Sequence, residues 1–402
     1  MKIVWILNSY GLDSGAITGS PIRFHAISSR WQRMRPDLEQ VLVTTSGGER
    51  VLRSVGCTLP IVRVPASFFL SKEPFKIKAF RLWSYFLTSF HAYLVSGRYP
   101  EADVVITVSD YFCDVAPAAM MKRKGRAARW VSWIHHKELH PSQRPGNRLF
   151  NELTWRMQEW SFTRIAHNAD QAWVLDSDAG DLCARRLQEM GMPPNRLRKM
   201  LNGIDVGPIA CVPEPVKQVD AVMIGVRPNK GSLDVVPVWK IVQSIRPGTT
   251  LRLMGGMAGE ENLAKDIRRE GLENLIEIFK PKEGWAPFNV YVEKIKQSRI
   301  LFAPSHEEGW GIAVCEAMAC GVPVVAYDLP VYRRVYGDAL VTVPEGDYPA
   351  FAKALCDLLD NPARHGQAME RGHRCAEKYD WDTVAQSDWR CVESLLALSP
   401  SV

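Results

Sequence analysis

Short apolar runs alternate with amphipathic stretches along the whole chain. Ile3–Leu7, Gln40–Thr44, Ile61–Val64, Val104–Val108, Trp130–Ile134, Gln171–Leu175 and Leu197–Leu201 read as strands. So do Val219–Ile224, Thr250–Met254, Leu275–Phe279, Ile300–Ala303, Val322–Ala326 and Leu340–Val343. Each run is too short for a helix, and the stretches between them carry helical spacing. Strands separated by helices form βαβ units and parallel sheets. Two successive sets of such units predict an α/β protein of two doubly wound lobes rather than one barrel. The break falls near 206–219, where Pro208, Pro213 and Pro215 crowd and the periodicity fades. A first domain over 1–206 and a second over 207–381 follow, with a final apolar-spaced helical segment at 382–402.

Length agrees, because 402 residues exceed what one compact core usually holds. Charge interrupts every apolar run well before the ~18–20 residues of a membrane span. Met1–Asn8 is a first buried strand by this reading, since a signal peptide needs a longer apolar region and a small-residue cleavage site. The nine cysteines are scattered without a CxxC pair, which fits a reducing cytoplasm. Charge changes the picture more. Residues 1–200 hold 28 Lys/Arg against 17 Asp/Glu, and the remainder holds 22 against 27. A basic front and an acidic back imply different partners for the two lobes. No nucleic-acid motif is present, so the expected partner of the basic lobe is an anionic membrane surface or a lipid-phosphate-linked acceptor.

The chemistry concentrates after the run Ile300–Ala303. Glu308-Gly309-Trp310-Gly311-Ile312-Ala313-Val314-Cys315-Glu316 is a Gly-containing loop opening a helix, which ends at Gly321 before the next strand. A strand, Gly-loop and helix in that order present unpaired amides and a positive dipole end, which suit a phosphate. Two carboxylates beside a phosphate need other partners, and acceptor-only groups suit vicinal hydroxyls. Phosphate with two sets of hydroxyls describes a nucleotide sugar.

With seven residues between them, Glu308 and Glu316 resemble the EX7E motif of retaining GT-B glycosyltransferases of group 4. Leu201-Asn202-Gly203-Ile204-Asp205 is similar to the family's NG[VI]D segment, and Gly225-Val226-Arg227-Pro228-Asn229-Lys230-Gly231 to its phosphate-binding Arg…Lys-Gly loop, with a shorter Arg–Lys gap. The resemblance covers roughly the second half of the chain, and the first half matches only in outline. It implies the GT-B fold, two Rossmann-like lobes with a cleft between them, and a last helix that crosses back onto the first lobe. The implied reaction moves a hexose-type sugar from a GDP- or UDP-sugar to a glycan or lipid-linked acceptor with retention. Cell-surface polysaccharide or glycolipid assembly is the implied setting. No cofactor and no metal are expected, because Arg227, Lys230 and the helix at Ile312 would neutralise the leaving diphosphate. The implied location is cytoplasmic, with peripheral attachment to the inner face of the cytoplasmic membrane as an added feature.

Glu316 is expected at the ribose diol and Glu308 at the sugar hydroxyls, a division that the resemblance alone supplies. Gly309 and Gly311, with Trp310, Ile312 and Ala313, are expected along the donor, since a Cβ at either glycine would keep the backbone away. The loop Asn8–Gly19 contains Gly11, Gly15 and Gly19; Gly15 and Gly19 are expected over the donor phosphates, as in related enzymes. Arg23, just downstream, reads as a structural residue on a helix surface. His135 and His136 follow a strand, and two readings stand: structural histidines, or contacts to the donor sugar and its leaving phosphate.

Asp176-Ser177-Asp178 and Asp380-Trp381-Asp382 sit at helix starts, where capping explains them without a cation. The basic, aromatic segment Phe68–Tyr99 is either an interfacial helix beside anionic headgroups or a core helix. Lys122-Arg123-Lys124-Gly125-Arg126 reads as a solvated loop. Two rival functions are a catalytically silent nucleotide-sugar binder and an NAD-dependent oxidoreductase. The second is disfavoured by the lack of GxGxxG with an acidic residue about 20 positions on.

Overall fold

The computed structural model describes residues 1–8, 19–65, 78–135, 137–138, 140–142, 148–255, 260–280 and 286–397; for 78–86 and 260 it describes the backbone only. Strands among these are β1 (Lys2–Leu7), β2 (Glu39–Thr45), β3 (Ile61–Val64), β4 (Ala102–Thr107), β5 (Ala127–Ile134), β6 (Gln171–Leu175) and β7 (Leu197–Met200). The second set is β8 (Val219–Ile224), β9 (Leu251–Met254), β10 (Ile276–Phe279), β11 (Ser298–Ala303), β12 (Val324–Tyr327) and β13 (Val341–Val343). Each overlaps an expected run. β12 starts later than expected because the preceding helix unwinds through Gly321 (φ +68°), with Val322 N–H bonded to the Ala317 carbonyl at 2.9 Å.

Two doubly wound parallel sheets result, ordered β3-β2-β1-β4-β5-β6-β7 and β10-β9-β8-β11-β12-β13. Parallel strands are covered on both faces, which is why they read as unbroken apolar runs: Ile3 to Leu7 are all fully buried. The strand order reverses between β1 and β4 and again between β8 and β11. In open α/β sheets ligands bind beyond the carboxyl ends of the strands at such points.

The chain divides into Met1–Leu201 with Asp382–Val402, and Asn202–Trp381. The first division therefore falls at 201/202 rather than 206/207. Its physical cause is the Asn202-Gly203-Ile204-Asp205 segment, which is tied to the return segment of the second unit. Ile204 N–H donates to the Tyr379 carbonyl at 2.8 Å, and Trp381 N–H to the Ile204 carbonyl at 3.0 Å. A Cβ on Gly203 would lie 2.7 Å from the Tyr379 carbonyl oxygen, so the pairing requires glycine.

Arg23 is not on a surface. Its side chain is fully buried, ion-paired to Asp388 at 2.5 Å, bonded to the Leu201 carbonyl at 3.1 Å and stacked over Trp133 at 4.1 Å. Asp388 belongs to the last helix, Trp381–Ala397, which also receives the Trp31 indole N–H on the Ala385 carbonyl at 2.9 Å. Trp389 of that helix meets Trp31 edge-on at 5.2 Å, and Trp31 in turn contacts Trp5 of β1. Residues from the two extremes of the sequence thus build one aromatic core.

Of the segment Phe68–Tyr99, 68–77 lies outside the described residues and a helix spans Lys78–Val95. Among its described side chains, Thr88, Ser89 and Ala92 are buried, whereas Phe90 (57%) and Leu94 (58%) are exposed. The basic stretch at 122–126 is less solvated than expected. Lys122 pairs with Asp170 at 2.8 Å, and Arg126 donates to the Tyr99 carbonyl at 2.6 Å. In the first Asp-x-Asp triplet, Ser177 caps the helix Asp178–Glu189 through Gly180 N–H. In the second, Asp382 accepts from Arg30 at 2.5 Å. All nine cysteines are free, most of them buried in the cores.

Candidate functional site

Two loops define the site of the second unit, one after β8 and one after β11, at the order reversal of that sheet. The first turns at Gly225 (φ +81°), exposes Arg227 and winds one 3-10 turn over Pro228–Lys230, closed by Gly231 (φ +81°). Proline at the start of the turn supplies its fixed φ. At Gly231 a Cβ would lie 2.0 Å from the Pro304 carbonyl oxygen, so this glycine packs the first loop directly onto the second. Gly231→Ala should therefore cost at least about 1–2 kcal/mol from the left-handed backbone alone, with the clash added. A lowered denaturation midpoint would register both effects.

The second loop runs from Pro304 to Gly311, where the helix Ile312–Ala319 begins. Gly311 is left-handed (φ +94°), and a Cβ there would meet Tyr332 at 3.1 Å. The left-handed backbone and the nearby tyrosine both favour glycine here. Gly309 differs, since a Cβ there would meet nothing within 4 Å. Trp310 departs from the expectation too. Its indole is 2% exposed and packs edge-on against Tyr336 and Tyr379, so the side chain belongs to the core. Tyr336 O–H reaches the Trp310 and Gly311 carbonyls at 3.1 and 2.9 Å, fixing the turn from beneath. The amides of Ile312 and Ala313 open the helix and have no carbonyl of their own helix to donate to.

Lys230 Nζ is ion-paired with Glu308 Oε2, both side chains being largely buried. The pair joins the tips of the two loops and orients both side chains. Glu316, one helical stretch further on, accepts the Tyr291 phenol on Oε2 at 2.7 Å. Burial raises the Glu316 carboxyl to about 7; the Tyr291 hydrogen bond opposes that shift and the Asp205 charge adds to it. Tyr291, on the helix Phe288–Lys296, carried no signal in the sequence beyond helical spacing.

The other expected residues lie in the first unit. Gly19 opens the helix Gly19–Met34, while Gly15 and His136 lie outside the described residues. His135 stands at the end of β5 with Nε2 3.0 Å from the Val108 carbonyl, so that nitrogen donates and ties β5 to the end of β4. At the ends of β1 and β4 is a network that the sequence did not single out. The Asp114 carboxylate accepts Asn8 N–H at the end of β1 and the Ser109 hydroxyl, each at 2.5 Å. Burial raises this carboxyl to about 7.

Residues 213–378 match the family model of glycosyl transferases group 1. The chain is 42% identical over 90 residues to a phosphatidyl-myo-inositol mannosyltransferase of Mycobacterium leprae, covering 22% of this chain and 24% of that protein. It is 28% identical over 201 residues to a D-inositol 3-phosphate glycosyltransferase of Streptomyces avermitilis, covering 49% and 40% respectively. The chain thus spans well under half the length of these curated relatives. Anabaena HepE, solved with UDP and glucose, superposes with a TM-score of 0.70 at 15% identity, covering 98% of this chain and 100% of that one.

Proposed function

We propose that this chain, which has the GT-B fold and whose residues 213–378 match the model of glycosyl transferases group 1, transfers a hexose from a GDP- or UDP-sugar to a glycan or lipid-phosphate-linked acceptor, with retention. The observation that carries this reading is the convergence, at one sheet-order reversal, of the Lys230–Glu308 pair, the helix start at Ile312 and the Glu316 carboxyl. In the reaction the bond from the anomeric carbon to the diphosphate oxygen breaks. A bond to the acceptor hydroxyl oxygen forms, and the hydroxyl proton passes to the released diphosphate. Lys230, Arg227 and the amides of Ile312 and Ala313 stabilise the charge growing on that diphosphate. Glu316 holds the ribose diol and Glu308 the sugar. No metal is needed in this scheme, because the cations and the helix dipole do its work.

An anionic acceptor fits the excess of Lys and Arg in residues 1–200, and the exposed Phe90 and Leu94 suit the edge of a membrane. A mannosyltransferase among the relatives favours a hexose donor.

Calorimetric titration of UDP- and GDP-hexoses, with turnover measured in EDTA, tests the proposal. A true donor at 100 times its Kd stabilises the fold by about 2.7 kcal/mol. Because Glu316 has a raised pKa, its contribution to the unliganded fold is present at low pH and lost as pH rises through about 7. A diol that donates to the carboxylate favours the ionised form. Donor affinity should therefore weaken below about pH 7, and Glu316→Gln should remove that acid limb. Indifference to every donor, or turnover restored only by a divalent ion, overturns the reading.

A further inference from the structure

His306 lies in the loop after β11, two residues before Glu308, with each ring nitrogen against a carboxylate. Nε2 is 2.8 Å from Asp234 Oδ2, and Nδ1 is 2.7 Å from Glu345 Oε1. An ionised carboxylate only accepts, so both nitrogens must donate, and a ring with both protons is an imidazolium. Asp234 is 3% exposed and also takes the Tyr327 hydroxyl at 2.7 Å and the Tyr348 hydroxyl at 3.4 Å. Neither phenol can replace the positive charge this buried carboxylate needs. Burial lowers the imidazole pKa, but the hydrogen bond to Glu345 and the charge of Asp234 raise it, and the net shift is upward.

Among the described residues, the groups on the ring and on Asp234 come from four places. Asp234 immediately precedes the helix Val235–Ile245, Glu345 follows β13, Tyr327 ends β12, and Tyr348 opens the helix Tyr348–Asp360. All are acidic or phenolic. The main chain at His306 makes the second half of the connection. The amides of His306 and Glu307 donate to the Asn229 carbonyl at 3.1 and 3.2 Å, and Asn229 immediately precedes Lys230.

We propose that His306, as an imidazolium, is a positioning residue that clasps the Glu308 loop to the Lys230 loop, and that losing its proton loosens the clasp and weakens donor binding. The inference rests on the donor-site reading above. A raised pKa means the clasp is complete at and below the ordinary histidine range and is lost as pH rises through the raised value. Donor affinity then has an alkaline limb from His306, separate from the acid limb of Glu316.

UDP and GDP titrations of the unmodified protein, His306→Gln and Glu345→Gln, from about pH 6 to about pH 9, test this, together with nitrogen NMR of the histidine rings. His306→Gln should bind roughly tenfold more weakly near neutral pH and lose the alkaline limb. Glu345→Gln removes one anion and keeps the ring, so its limb should move to lower pH. That variant carries the test if His306→Gln does not fold. Unchanged affinity with the limb intact in His306→Gln, or a limb unmoved in Glu345→Gln, overturns the inference. A His306 ring that NMR finds neutral at about pH 7 overturns the clasp whatever the nucleotide results. Failure of the unmodified protein to bind either nucleotide sinks the donor-site reading instead.

Discussion

Lys230→Ala should lower kcat by roughly 10²–10³-fold, the loss seen when one preorganised charge-stabilising donor is removed from a transferase or hydrolase site. Two effects combine. The ammonium that would meet the leaving diphosphate is gone, and Glu308, largely buried, loses its ion-pair partner. Because the Lys230 backbone sits in a 3-10 turn anchored by Pro228 and Gly231, the fold should survive, and far-UV circular dichroism should match that of the unmodified protein. Steady-state kcat with the donor identified by calorimetry is the measurement. Lys230→Arg restores charge but replaces a compact ammonium with a planar fork, so it should rescue only part of the loss. A Lys230→Ala variant within threefold of normal turnover would rule out the leaving-group role, and would favour a nucleotide-sugar binder without catalysis.

Asp388→Ala should destabilise the protein by about 3–5 kcal/mol, because it leaves the fully buried Arg23 guanidinium uncompensated. Burial lowers the Arg23 pKa and raises that of Asp388, each against the attraction of the other, which marks how strongly desolvation acts on both. Arg23 Nη1 already lacks a partner, so no spare hydrogen bond can absorb the loss. Replacing both residues by apolar ones, Arg23→Met with Asp388→Leu, should cost far less than the single change, since neither charge is then buried. Urea unfolding of the single and double variants gives the comparison. Equal destabilisation in both would show that shape rather than charge governs this position.

How much of this was legible in the sequence differs by kind of feature. The strands were, because parallel strands are apolar on both faces and each announces itself without reference to its neighbours. The Lys230 and Glu308 loops were, because glycines at a strand's end are a local signal. Arg23 was not: its spacing on a helix says which face it occupies, but not that Asp388 and Trp133 cover that face. The same limit hid the inward turn of Trp310, whose neighbours Tyr336 and Tyr379 come from later helical segments. The left-handed turn of Gly311 over Tyr332 carries no local signal, because Tyr332 lies on a later helix. His306 was missed because a clasp on Asp234 and Glu345 joins residues far apart in the chain, and no periodicity links them.

The pairing of Arg23 with Asp388 spans 365 positions. During synthesis, at about 5–20 residues per second, the first unit waits roughly 20–70 s for that carboxylate after Arg23 has been made. Until then the nascent chain presents an unmatched guanidinium beside Trp133, and Trp31 lacks both Ala385 and Trp389. Asn202–Trp381, contiguous in sequence, meets no such delay. The earlier unit is thus held open while the later one is being made, a window in which chaperones would find the N-terminal half.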